Sequence, residues 1–387
     1  MTASKPLRIL YTAIDQTVPG TLGGSVHVQA VAEGLAALGH EVHALVMRGA
    51  AVWPAGPVRW REVEAPGGRP QFRLLAAREV KRIAREVEPD LVLERYHNFG
   101  GEGMLAARAV GAKYALEVNA PVIDYPGSPK SRVDRAMMVQ PMRRWRERLV
   151  RAADLIVSPS AKILPDWVPA ERVLEIEWGA DTGRFTPSAS GDVVWHRQPA
   201  GMTAVFAGAF RAWHGAAQLV EAVRLLRSRG INDVLAVLIG DGPERAAVED
   251  GARGLDRVIF TGAVAHERMP TALAAADVGV APFDVERHPP LRLGFYWSPL
   301  KIFEYMASGL PVVAPALPRL RTLVGHEVEG VLYDPATPVA LADALASLRD
   351  PERRHRLGMA ARVRAERDYS WQAHCAKLDA AFRGLFP

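Results

Sequence analysis

Short apolar runs alternate with amphipathic stretches from one end of this chain to the other, and the alternation restarts half-way along. In the first half the runs Arg8–Thr12, Val42–Met47, Leu91–Glu94, Tyr114–Val118, Leu155–Ser158 and Val173–Glu177 read as strands. Between them Val26–Leu38, Phe72–Glu88, Gly103–Val110 and Val133–Ala152 space their apolar residues as helices do. The second half offers strands at Ala204–Ala207, Val234–Ile239, Val258–Thr261, Val278–Ala281, Val312–Ala314 and Val331–Tyr333. Its helices are expected at Ala216–Arg229, Glu244–Ala252, Arg268–Ala276, Leu300–Ser308, Val339–Leu348 and Pro351–Glu366. Strands that are short, continuous and rich in Val, Ile and Leu belong in a parallel sheet covered on both faces. Alternation with short connections therefore predicts two Rossmann-like, doubly wound α/β domains, residues 1–180 and 181–366. The break is expected in the polar, Pro- and Gly-containing stretch Gly179–Ala200. A last amphipathic helix, Trp371–Phe386 within residues 367–387, carries Leu378, Ala381, Phe382 and Leu385 on one stripe and is expected to pack back on the first domain.

With 387 residues the chain is too long for one core of ordinary size, which supports the division. A single cysteine, Cys375, excludes an intramolecular disulfide and a Cys-rich metal site, and fits a reducing cytoplasm. The start Met1–Leu10 runs almost directly into a strand, so no secretory signal is expected, and no apolar run is long enough to span a bilayer. The net charge of +5, from 48 basic and 43 acidic residues, favours anionic ligands without demanding nucleic acid.

The most informative segment is Tyr296-Trp-Ser-Pro-Leu-Lys-Ile-Phe-Glu-Tyr-Met-Ala-Ser-Gly-Leu-Pro-Val-Val-Ala314. Ser298 reads as an N-cap, Pro299 suits the first turn, and Gly309 stops the helix. Leu300, Lys301 and Glu304 share a face by their spacing. Free N–H groups, the positive helix end and Lys301 would then surround one point, a site for a diphosphate, with Glu304 one turn further in to accept from vicinal hydroxyls. The plain alternative is a capped core helix with a surface Lys–Glu pair.

This segment resembles the nucleotide-sugar segment of glycosyltransferase family 4, retaining enzymes of the GT-B fold. In that family a Glu, seven intervening residues and a second Glu contact the donor. Glu304 aligns with the second, whose family role is to bind the ribose; Tyr296 stands at the first, making this a Ser-Pro-Leu-Lys variant without that Glu. The resemblance extends over most of the chain. Gly208-Ala-Phe-Arg-Ala-Trp-His-Gly215 is similar to the family's diphosphate loop, with His214 at a Lys position and Arg211 near the place of a missing Arg. An exposed loop arginine and a packed loop histidine are the plain readings of those two. Gly240 and Gly242 in Ile239-Gly-Asp-Gly-Pro-Glu244 match a turn near the nucleotide, and Val264 ends the strand whose backbone meets the base. In the first half, Gly24 in Gly20-Thr-Leu-Gly-Gly-Ser-Val-His27 resembles the glycine that meets the donor from the opposite wall of the cleft. Asn119 stands where the family often has His; it is read as a donor-sugar contact or as a turn-forming Asn, and His40 as a turn residue. Glu177-Trp-Gly-Ala-Asp181 resembles the family's hinge.

The resemblance implies two domains facing across a cleft and a metal-independent, retaining transfer from a nucleoside diphosphate sugar, UDP favoured, to an acceptor hydroxyl. Arg211, Lys301 and Asn119 are the catalytic candidates; Gly24, His214, Gly240, Gly242, Val264, Ser298, Leu300 and Glu304 the donor-binding ones; no metal site or cofactor is expected. A nucleotide-sugar epimerase or phosphorylase on the same fold, or an inactive nucleotide-sugar-binding subunit, are the alternatives. The acceptor is not legible. Helix Val133–Ala152, with Arg135, Arg143, Arg144, Arg146, Arg148 and Arg151 among Met137, Met138, Met142, Trp145 and Leu149, reads either as a packed helix with a solvated Arg face or as a peripheral contact with an anionic membrane.

Overall fold

The computed structural model of the chain describes residues 5–49, 52–124, 140–195, 201–337 and 339–386. It divides into two compact units: Met1–Trp178 with Tyr296–Ser298 and Trp371–Pro387, and Gly179–Phe295 with Pro299–Ser370.

The first unit holds strands β1 (Arg8–Val18), β2 (Glu41–Arg48), β3 (Arg59–Glu62), β4 (Leu91–Arg95), β5 (Lys113–Glu117), β6 (Leu155–Ser158) and β7 (Val173–Glu175). They form one parallel sheet in the order β3-β2-β1-β4-β5-β6-β7. The central strands are buried along their length, as continuous apolar runs require. Edge strand β3 was not expected: three of the four residues of Arg59-Trp-Arg-Glu62 are charged, which suits a strand with one open side but carries no apolar signal. Strand β1 runs past its expected end, with a register shift against β2 between Ala13 and Thr17.

The helix expected at Phe72–Glu88 is split into a 3-10 segment, Pro70–Ala76, and an α-helix, Ala77–Val87. The reason lies in Arg73, 0% exposed, whose guanidinium turns inward to Glu102 Oε1, Asp15 Oδ1 and the Arg95 carbonyl. Of helix Val133–Ala152, the span 140–152 is observed as Gln140–Ala152; residues 133–139 lie outside the described residues.

The last helix, Trp371–Arg383, buries Trp371, His374, Cys375, Leu378 and Phe382. A Cβ on Gly34 of helix Gly23–Ala37 would stand 2.4 Å from Cys375 Sγ, so the absent side chain makes the room that Cys375 fills. His40 is more than a turn residue. It is buried, its Nδ1 accepts from the Leu7 N–H at 3.0 Å, and its Nε2 lies 2.8 Å from Asp379 Oδ1.

The second unit holds β8 (Met202–Ala207), β9 (Val234–Ile239), β10 (Val258–Gly262), β11 (Val278–Val280), β12 (Val312–Pro315) and β13 (Gly330–Tyr333), all parallel, in the order β10-β9-β8-β11-β12-β13. Its core joins Phe206, Phe210, Leu219, Val223, Leu238, Val280, Val313 and Leu345 from the sheet and its covering helices. The division between units falls after Trp178 rather than after Ala180: Trp178 bonds to Ser298, whereas the Ala180 N–H donates to the Tyr369 carbonyl at 2.7 Å. Two doubly wound parallel-sheet units of the GT-B type are the fold class read from the sequence.

Candidate functional site

In the second sheet the connections leave β8 toward β9 and return on the other side to β11, so the order reverses between β8 and β11. At such a switch point the loops leaving the carboxyl ends of the two strands diverge and open a crevice. Here the β8 loop is laced backbone to backbone to the loop after β9 and, at one point, to the loop after β11. The Gly208 N–H donates to Ile239 O at 2.9 Å, Phe210 N–H to Asp241 O at 2.9 Å, and Asp284 N–H to Trp213 O at 3.0 Å. Gly240 is pressed on Gly208, where a Cβ would stand 2.0 Å from Gly208 O, and Gly242 is pressed on Phe210 in the same way.

Helix Leu300–Ala307 is anchored over this crevice by Tyr305, whose hydroxyl accepts from the Ala207 N–H at 2.8 Å and donates to Val280 O at 3.4 Å. Those two carbonyl-end residues belong to β8 and β11, so one phenol fixes the helix at the switch point. Lys301, in the first turn, is thereby placed with its ammonium 4.4 Å from the Phe206 ring centroid and 5.3 Å from that of Phe283. A Cβ on Gly208, φ +149°, would stand 2.7 Å from Lys301 Nζ and 3.6 Å from His214 Nδ1. The glycine leaves the space that both side chains use.

Lys301 Nζ is buried and has no hydrogen-bond partner among the described residues. Burial pushes its pKa down to about 7, partly opposed by the Glu304 carboxylate. His214 hydrogen-bonds through Nδ1 to the Ala209 carbonyl; burial, then the Lys301 charge, hold it down to about 3, so it is neutral. The Arg211 side chain is exposed, and no hydrogen bond or ion pair engages its guanidinium among the described residues. Glu304, 8% exposed, places Oε1 3.3 Å from His266 Nε2. No side chain caps the helix start, and Leu300 and Val264 are half-buried.

Ser298 is not the N-cap that its position suggests. Pro299 occupies that place, while Ser298 Oγ accepts from the Trp178 N–H at 2.7 Å and donates to Glu177 Oε2 at 2.8 Å. These partners belong to the first unit. Asn119 is engaged there too, its amide donating to Glu117 Oε1 and accepting from Trp178 Nε1 at 3.1 Å. Glu117 is a buried hub that also takes Tyr11 OH at 2.5 Å and Arg95 Nη1 at 3.1 Å. Burial alone would raise its pKa, but the His27 and Arg95 charges overcome that and hold it well below the usual carboxylate range. Gly24 lies in the first turn of helix Gly23–Ala37, which no side chain caps. A Cβ there would collide with Gln16 Oε1 at 2.2 Å and reach 3.4 Å from Arg95 Nη2.

Residues 22–176 match the family model Glycosyltransferase Family 4, and residues 201–350 match Glycosyl transferases group 1. A GDP-mannose-dependent alpha-mannosyltransferase of Mycobacterium tuberculosis is 30% identical over 323 residues, 81% of this chain and 76% of that protein. The chain belongs to glycosyltransferase family 4. A D-inositol 3-phosphate glycosyltransferase of Xylanimonas cellulosilytica is 32% identical over 60% of this chain, and the match spans 58% of that relative's own length. In structure, this family 4 chain is similar to sucrose-phosphate synthase from Thermosynechococcus elongatus, with a TM-score of 0.72 at 21% identity over 98% of this chain and 99% of the other.

Among the candidates of this family 4 chain, the second unit brings together Lys301, His214, Gly240 and Gly242, and sets Glu304 one turn along the same helix. Ser298, Asn119 and Gly24 sit in the first unit. Sequence reasoning missed Phe206, Phe283, Tyr305 and His266. Two of these had a local signal, since Tyr305 follows Glu304 on the read helix and His266 begins the turn after Val264. Among the described residues no group of three or more His, Cys, Asp or Glu is placed to hold a metal ion, and no helix is long and apolar enough to cross a membrane. In helix Gln140–Ala152, Arg146 and Leu149 are buried, Trp145 donates to Gly100 O at 2.8 Å, and Arg143 pairs with Asp124. Arg144, Arg148 and Arg151 remain exposed.

Proposed function

We propose that this chain moves a sugar from a nucleoside diphosphate sugar to an acceptor hydroxyl, with retention at the anomeric carbon and without a metal ion. The second unit is read as the nucleotide-sugar side and the first as the acceptor side. The observation that carries the reading is the unpartnered Lys301 ammonium at the β8/β11 switch point, beside an uncapped helix start. A buried cation costs stability unless an anion meets it, and a diphosphate supplies that anion. As the C1–O bond breaks, its electron pair stays on the departing diphosphate oxygen. Lys301, the first-turn N–H groups and Arg211 stabilise the growing charge, the electrostatic help that often dominates catalysis. The acceptor oxygen bonds C1 from the same face, and its proton passes to the leaving phosphate.

Glu304, beside His266, is assigned the ribose hydroxyls. The Ser-Pro-Leu-Lys segment is read as a variant of the family motif in which Tyr296 replaces the first Glu. The relative named for GDP-mannose supports a nucleotide-activated donor. The only cysteine, Cys375, is buried and free, which fits a reducing cytoplasm. A peripheral contact with anionic membrane rests on the exposed Arg144, Arg148 and Arg151, and a protein left in the supernatant by anionic vesicles removes it.

The test is a thermal-shift and calorimetric panel of UDP-, GDP-, ADP- and TDP-sugars, followed by transfer to candidate acceptors with NMR of the product anomer. One donor should bind, Glu304→Ala should weaken it by roughly tenfold, and a chelator should leave turnover intact. Sugar conversion without acceptor would instead mark an epimerase, and donor binding without turnover an inactive subunit.

A further inference from the structure

A cavity of about 220 Å³ opens in the second unit at the other end of the sheet from Lys301. Its wall includes Asp277 and Pro311, the residues just before β11 and β12, together with Ser308, Gly309, Arg354 and His355. It therefore lies at the amino ends of two adjacent strands, whereas Gly208 and Lys301 lie at carboxyl ends. Nothing in the proposed transfer uses it.

Two features make this more than a surface dent. Ser308 is 2% exposed, and its hydroxyl has no hydrogen-bond partner among the described residues, which is costly for a buried polar group that stays unmatched. The cavity is also built on the end of the helix that carries Lys301 and Glu304. The Ser308 N–H donates to Glu304 O at 2.9 Å, Gly309 N–H to Met306 O at 3.0 Å, and Leu310 N–H to Tyr305 O at 3.0 Å. The outer side of this turn is held by helix Pro351–Asp368: a Cβ on Gly358 would stand 2.1 Å from Gly309 O, and Arg362 Nη1 donates to Ala307 O. A ligand seated against Ser308 thus presses on a rigid element whose far end is the diphosphate site.

The lining sets the ligand's chemistry. Arg354, with Nη1 on the Leu348 and Arg349 carbonyls, contributes a fixed positive charge. His355 is exposed, and its ring makes no hydrogen bond among the described residues. Ser308 offers a hydroxyl, and Asp277, whose Oδ2 accepts from the Thr203 N–H at 2.7 Å, offers a carboxylate to ligand hydroxyls. Alanines 274 and 276 and three prolines, 187, 311 and 351, give apolar walls. The volume is below the ~300 Å³ at which drug-sized sites begin, so one sugar ring or its equivalent fills it. We infer that this cavity is an effector site for a small hydroxylated anion, a sugar phosphate or a hydroxy acid, coupled to donor binding through helix Leu300–Ala307. By linkage, donor and effector alter each other's affinity by the same factor.

The full chain is titrated calorimetrically with glucose 6-phosphate, citrate and inorganic phosphate, as wild type, Ser308→Ala and His355→Ala. Neither substitution should unfold the protein, because one removes an unpartnered hydroxyl and the other an exposed ring. The expected result is that glucose 6-phosphate or citrate binds wild type and binds each variant about tenfold more weakly. UDP affinity should shift with that anion present in wild type and stay constant in the variants. Absence of binding by both hydroxylated anions, equal binding of inorganic phosphate, or affinities unchanged by both substitutions would each overturn the inference. These readouts need no sugar transfer, so a failure here leaves the transferase reading standing, and a failed transfer assay leaves this site testable.

Discussion

Lys301 Nζ stands 4.4 Å from the centroid of the Phe206 ring, buried and without a hydrogen-bond acceptor among the described residues. The ring face offers a weak electrostatic partner, worth about 2 kcal/mol when desolvated, less than the water it displaces. The unliganded protein thus holds a cation ready but poorly satisfied, which is why burial lowers its pKa to about 7. Two consequences can be measured.

The first concerns the donor. A diphosphate stabilises charged Lys301, so binding draws a proton whenever the free enzyme holds the amine neutral, that is, above pH 7. Next to it His214, held down to about 3, stays neutral across that window, and the Arg211 guanidinium lies close by. His288 is lowered by burial and by Arg211, while Glu304 and His266 sit together one turn away. Donor affinity should be level from pH 6 to 7 and fall roughly tenfold by pH 8.5. Calorimetry in two buffers of different ionisation enthalpy should show the uptake, and Lys301→Met should abolish it. A flat profile in wild type would remove the charged-lysine clamp.

The second concerns stability. The folded pKa of about 7 lies below the 10.5 of a free lysine, so between those values the unfolded chain binds more protons than the native one. Stability from this group rises with pH across that window, and its full cost is present below pH 7. Lys301→Met should therefore raise Tm at pH 6, by roughly 2 °C or more, with a gain that shrinks toward pH 9. A variant equally destabilised at every pH would mean the ammonium has a partner.

How much of this was legible depended on whether the partners were near in sequence. Strands Leu155–Ser158 and Val234–Ile239 were read at their observed bounds because burial on both faces leaves continuous apolar runs. Strand Arg59–Glu62 was not, because an edge strand with charged residues looks like a loop. Lys301 and Glu304 could be placed on one helix from spacing alone. Ser298 misled, because the cap rule weighs only adjacent residues while its actual partners are Glu177 and Trp178. Phe206 and Phe283 became neighbours of Lys301 only once β8 and β11 were paired, and no local pattern carries that pairing.

Asn119 shows the same lesson with a testable edge. Its amide donates to Glu117 and accepts from the Trp178 indole, which gives it a bracing role in the structure. Asn119→Ala leaves the indole N–H unpaired and should cost about 1–2 kcal/mol in urea unfolding. Trp178→Phe should cost a similar amount, and the double variant less than the sum, by at least about 0.5 kcal/mol. If Asn119→Ala instead keeps the wild-type midpoint and loses turnover, the bracing role is wrong and the amide serves the reaction directly.

Arg73 offers the sharpest stability test. Its guanidinium, 0% exposed, holds Glu102 through Nε at 3.0 Å and Asp15 through Nη1 at 2.8 Å. Nearby Glu94, buried and facing the Glu102 charge, has its pKa pushed up to about 7, and Arg73 opposes that rise. Arg73→Met removes the buried cation that faces them and leaves buried carboxylates uncompensated, at a cost of about 3–5 kcal/mol. Carboxylates whose folded pKa lies above the unfolded value bind more protons in the native state, so their stability falls as pH rises through that interval. The deficit of Arg73→Met should therefore be largest at pH 8 and shrink toward pH 5. Arg73→Lys keeps a charge but loses the planar fork that reaches both carboxylates, and should fall between the two. A deficit independent of pH would show that Arg73 acts through packing of the Pro70–Ala76 segment and not through its charge.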